Sequence, residues 1–78
     1  MERRNKKLLD TFARVLSAKR REAGLSQEEL AFRLELSVSY ISLLETRKRQ
    51  PTLTVLAAIA SELGMSLSEL MREIETAR

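Results

Sequence analysis

The side chains of this sequence that could do chemistry are few in kind. The chain has no cysteine and no histidine, which removes thiolate and imidazole groups as nucleophiles, bases or metal ligands. What is concentrated in one place is a set of hydroxyls, Ser37, Ser39, Tyr40 and Ser42, followed by the cationic run Arg47-Lys48-Arg49. Hydroxyls donate and accept hydrogen bonds, and ammonium and guanidinium groups bind anions. Such a set can hold a polyanion without transforming it. A Ser–Lys nucleophile pair can be assembled from the composition, but no pattern fixes one in a pocket, and a helical chain of 78 residues rarely encloses one. An enzyme is the weakest reading, and no metal, cofactor or small-molecule ligand is expected.

Charge is laid out in blocks. Residues 1–21 hold eight basic against two acidic side chains, and residues 22–46 hold one against five. Three cations follow at Arg47-Lys48-Arg49, and residues 50–78 hold two basic against four acidic. Segregation of this kind fits one surface that meets an anion and another that does not. Taken alone, short basic runs are more often simply solvated. The longest apolar run, from Val55 to Ala60, is far too short to span a membrane, and the charged residues 2–7 do not read as a secretion signal. The expectation is one cytoplasmic domain over residues 1–78, with residues 1–7 a basic, frayed start.

The elements that must position these groups are helices. Glycine stands only at 24 and 64 and proline only at 51, so hairpin signals are absent. Leu8, Leu9, Phe12, Val15, Leu16 and Ala23 mark a first helix, closed by Gly24. Ser26 and Glu29 form a capping-box pair opening a second, with Leu30, Ala31 and Leu34 inward. Ser37 caps a third over about Val38 to Glu45, with Ile41 and Leu44 inward. After a loop ending at Pro51, Thr52 caps a fourth, with Leu53, Leu56, Ile59, Ala60 and Leu63 on one face and Gly64 at its end. Ser66 and Glu69 open a fifth, with Leu67, Leu70, Met71 and Ile74 inward. The fold class is all-α, a compact bundle of five short helices.

The short connection between the second and third helices forces them to cross steeply, as in a helix-turn-helix over about residues 26–45. A protruding third helix could enter the ~12 Å major groove of duplex DNA. Its outward side chains are small, hydroxyl-bearing and uncharged, where a merely solvated helix would carry Glu or Lys. With the string Arg20…Gly24-Leu25-Ser26-Gln27-Glu28-Glu29-Leu30-Ala31, then Ser37…Tyr40-Ile41-Ser42…Leu44-Glu45, and then Pro51, Leu56, Ile59-Ala60, Leu63 and Leu67…Leu70, the sequence resembles the phage repressor/Cro-like helix-turn-helix family, with its lambda-repressor-like DNA-binding domain.

The resemblance implies a sequence-specific transcription regulator acting as a homodimer on a pseudo-palindromic duplex. It implies that Gln27 meets a phosphate or a neighbouring recognition side chain. It also implies that Ser37, Ser39, Tyr40 and Ser42 face DNA, and that Arg20 and Glu45 form an ion pair. The cations Arg47, Lys48 and Arg49, beside the motif, are expected to meet phosphates. Val38 and Leu43 stand where many relatives carry Gln, Arg or Lys, so readout is expected to lean on thymine methyls and DNA shape. The family usually has glycine where Glu35 stands, so either Glu35 accepts a left-handed backbone or the turn differs, and Arg47 stands where the family often has a second glycine. The expected dimer surface lies around Met65, Leu67, Met71 and Ile74. Phe32, on the outer face of the second helix, has no assigned role. The competing reading is a protein-interaction module, antitoxin-like or an accessory regulator, that keeps the fold with little DNA binding. The apolar Val38 and Leu43 speak for it, and salt-sensitive binding to duplex DNA separates the two.

Overall fold

A computed structural model describes residues 5–77 as five α-helices. They are α1 (Lys6–Glu22), α2 (Gln27–Leu34), α3 (Val38–Glu45), α4 (Leu53–Glu62) and α5 (Leu67–Thr76). Every start is capped by a side chain that accepts a backbone N–H of the first turn: Asn5, Ser26, Ser37, Thr52 and Ser66. Ser26 with Glu29, and Ser66 with Glu69, close reciprocal capping boxes. The backbone hydrogen bonds to the two box carboxylates hold both below the usual carboxylate range. Because Asn5 caps α1, Lys6 and Lys7 belong to its first turn rather than to a frayed start. Arg3 and Arg4 lie outside the described residues.

The core draws on all five helices. Phe12, Val15 and Leu16 of α1 meet Leu30 and Ala31 of α2, Ile41 and Leu44 of α3, Ile59 and Ala60 of α4, and Leu70 and Ile74 of α5. Thr11 is also buried and donates its hydroxyl to the Lys7 carbonyl at 2.9 Å. One residue expected on an inward face is not inside. Leu53 is 71% exposed, because it is the first residue of α4 and a helical Cβ leans back toward the N-terminus, off the helix end. Ala23 is exposed at the C-cap of α1. At the margins, Lys19 joins Glu73 at 3.1 Å and Arg33 joins Glu62 at 3.6 Å. Exposed pairs of this kind contribute little stability. No single helix among the described residues is long and apolar enough to cross a membrane.

Candidate nucleic-acid interface

Three residues, Glu35 to Ser37, join α2 to α3. The turn is built on a left-handed residue: Glu35 has φ 57° and ψ 41°. The Leu36 N–H then reaches the Ala31 carbonyl at 2.9 Å and the Glu35 N–H reaches that of Phe32 at 3.2 Å. These two bonds satisfy carbonyls that the end of a helix leaves open, as glycine usually allows. The same pair of bonds ends α3. Arg47 sits at φ 66°, the Lys48 N–H donates to the Leu43 carbonyl at 2.8 Å, and the Arg47 N–H donates to that of Leu44 at 3.3 Å. Glu35 therefore does adopt the left-handed backbone, and Arg47, at the second position where the family often has glycine, adopts it too, each with a full side chain attached.

Behind α3 lies a closed polar lock. Arg20, in the last turn of α1, donates from Nε to Glu45 Oε2 at 2.7 Å and from Nη2 to Oε1 at 3.1 Å. Its Nη1 donates to the Leu25 carbonyl at 2.8 Å. Gln27, the first residue of α2, donates from Nε2 to Glu45 Oε1 at 3.0 Å. The side chains of Arg20 and Glu45 are only 11% and 7% exposed. Burial would push the Glu45 carboxyl up, but the bonds from Arg20 and Gln27 outweigh it and hold the group below the usual carboxylate range. Glu45 ends α3, where the helix dipole is already negative, so the guanidinium neutralises both. Three helices are thus tied at one carboxylate. The Gln27 amide is engaged in that tie rather than turned free to solvent, with its second N–H left for another acceptor.

On the outward side of α3, away from the buried Ile41 and Leu44, Val38, Ser39, Ser42 and Leu43 line one shallow, uncharged hollow. Tyr40 packs half-buried against the core, and the Ser37 oxygen is taken up as the α3 cap by the Tyr40 N–H at 3.1 Å. Lys48 and Arg49 are exposed just beyond the helix end, with no ion pair among the described residues. Arg47 differs from them: its Nε lies 3.5 Å from Asp10 Oδ1 on α1. Sequence reasoning missed Asp10. The only local signal was its spacing of four from Arg14, which it also meets, at 3.1 Å.

Of the four residues expected at a dimer surface, Ile74 must be removed. It is 1% exposed and sealed into the core of its own chain, so reaching a second copy would require opening the fold. Met65, Leu67 and Met71 are half-buried at the rim. Phe32 is 84% exposed.

With this geometry in place, comparison with known proteins is decisive. A family model described as helix-turn-helix matches residues 16–70. The chain belongs to the helix-turn-helix family. Among its relatives, the HTH-type transcriptional regulator y4dJ of Sinorhizobium fredii is 45% identical over 60 residues, covering 77% of this chain and 73% of that protein. The control protein C.MunI of a Mycoplasma species is 40% identical over 65 residues, covering 82% of this chain and 88% of that one. Among solved structures, the restriction-modification controller protein C.AhdI of Aeromonas hydrophila superposes with a TM-score of 0.75 at 35% identity, covering 80% of this chain and 94% of that one. This helix-turn-helix family is one of DNA-binding transcription regulators rather than enzymes.

Proposed function

We propose that this chain is a sequence-specific regulator of transcription that sets α3 into the major groove of duplex DNA. It acts in the cytoplasm as a homodimer on a pseudo-palindromic operator. The observation that carries the reading is the two-sidedness of α3. Its inner side is fixed by Ile41, Leu44 and the Arg20–Glu45 lock, while its outer side is uncharged and lined by Val38, Ser39, Ser42 and Leu43. In this reading Lys48 and Arg49, with Arg47, take phosphates at the end of the helix. Ser37 and the second N–H of Gln27 take phosphates at its start. Ser39, Ser42 and the Tyr40 hydroxyl read base edges, and Val38 and Leu43 pack on thymine methyls.

One eight-residue helix reads only a few base pairs, too few to discriminate against bulk DNA. Two copies joined near Met65, Leu67 and Met71 double the site, with half-sites about 34–36 Å apart. Selection of bound sequences from random duplexes tests this directly. A two-fold-related pair of thymine-containing half-sites is the expected product, and replacing the contacted thymines by uracil should weaken binding. Recovery of no preferred sequence would refute specific recognition. Specificity that tracks a guanine contacted by an arginine would refute this placement of the reading face.

A further inference from the structure

Asp10 is the only acidic residue between positions 5 and 21, a stretch otherwise rich in Lys and Arg. It is surrounded by cations from two parts of the chain. Its Oδ2 meets Arg14 Nε at 3.1 Å one turn along α1, and its Oδ1 meets Arg47 Nε at 3.5 Å from the end of α3. Lys6 lines the same surface hollow as Asp10 and Arg47. Two guanidinium groups therefore share one carboxylate beside Lys6, and both pairs lie open to water, with the three paired side chains roughly half exposed. The backbone of Arg47 is fixed by its left-handed turn and by the Lys48 and Arg49 N–H groups, which both reach the Leu43 carbonyl. Only its side chain is free to choose between anions.

We infer that Asp10 is an internal counter-ion for Arg47, holding in the free chain a guanidinium that a DNA phosphate takes from it. The inference rests on the reading of α3 and its following loop as the DNA-facing surface. Carboxylate and phosphate oxygens compete for the same guanidinium N–H groups. In the free chain Arg47 is held against α1 by Asp10. On the duplex Arg47 turns to the phosphate, and Asp10 keeps Arg14. Asp10 then sets the strength of backbone binding without touching a base.

The test compares the full-length chain with Asp10→Asn, Arg47→Ala and the double variant on a random-sequence duplex and on a duplex recovered by selection, across a salt series. Asp10→Asn should bind both duplexes about two- to fivefold more tightly at low salt, the size of one exposed ion pair. Its salt dependence should steepen, toward one further released counter-ion per protomer. The preference between the two duplexes should stay as it was. In the Arg47→Ala background the gain from Asp10→Asn should vanish. An equal gain with and without Arg47 would overturn the inference, because it would reflect only the loss of a repelling charge. So would unchanged affinity of Asp10→Asn, with Asp10→Ala and a melting curve checking that α1 is intact. If the unaltered chain binds neither duplex at any salt, the DNA-binding reading fails too. That outcome is distinct from a wild-type chain that binds and an Asp10 variant that does nothing.

Discussion

Truncating Arg20 to alanine should unfold this chain more readily than any other loss of a single charge. Four hydrogen bonds converge on the Arg20–Glu45 lock, and Arg20 donates three of them. Without it, Glu45 keeps only neutral partners, the Gln27 amide and the Ser17 hydroxyl, and the Leu25 carbonyl loses its side-chain donor. A carboxylate 7% exposed and left with neutral partners alone resembles a broken buried ion pair, which costs about 3–5 kcal/mol. A chain of this length has roughly 4–12 kcal/mol in total. Each kcal/mol moves the midpoint of a domain this size by about 4–8 °C. The melting temperature of Arg20→Ala should therefore fall by on the order of 12–40 °C, read by circular dichroism. Arg20→Lys should recover only part of that, since a point charge cannot span both carboxylate oxygens and a carbonyl. The double variant Arg20→Met/Glu45→Leu should recover most of it, by removing the stranded charge as well. The deficit of Arg20→Ala should also shrink toward acid pH, where Glu45 can be protonated. A melting temperature for Arg20→Ala within about 3 °C of the parent would refute the lock, and so would a double variant no better than the single one.

Three further outcomes follow. Glu35→Gly should raise stability by about 0.5–1 kcal/mol, since glycine takes φ 57° without a Cβ penalty, and thermal melting reads it. Acid should destabilise the chain: hydrogen bonds hold the Glu45, Glu29 and Glu69 carboxyls below the usual carboxylate range, so the stability they confer is complete above that range and is lost as pH falls through their lowered values. Glu45→Gln should flatten that acid limb in a pH series of melts. Lys48→Ala should weaken duplex binding uniformly across sequences and reduce the salt slope by about one unit per protomer, while Leu43→Ala should flatten the preference at one base pair and leave the slope unchanged.

Four helix starts were legible because each follows a Ser or Thr whose side chain can accept the third N–H onward. Asn5 obeys the same rule before Leu8, but the first apolar repeat begins at Leu8 itself, which hid the cap within a run read as frayed. Depth was less legible than direction. Periodicity places Leu70, Met71 and Ile74 on one apolar face, yet an apolar face looks the same whether it meets its own core or a second copy. Only packing shows that Ile74 is sealed while Met71 stays at the rim. Leu53 fits the inward period of α4 but lies at the helix end, where period carries no information about the edge of the body. The Arg20–Glu45 pair was legible through family resemblance. The Asp10–Arg47 pair joins residues with no local pattern between them, and no spacing rule reaches that far.

The two strained positions have a common place in the fold. Among the described residues, four helix ends turn on a left-handed residue, and two of them use glycine, at Gly24 and Gly64. The other two, Glu35 and Arg47, bracket α3 and carry side chains at a cost of about 1 kcal/mol each. For Arg47 the side chain explains the cost: glycine there would relax the backbone but remove a cation from the end of α3, along with the partner that Asp10 holds. Stability and anion binding therefore pull that position in opposite directions. Arg47→Gly should make the chain more stable and a weaker binder at once. Nothing in the structure explains why Glu35 keeps a side chain, which is why replacing it should stabilise the fold without a matching loss on DNA.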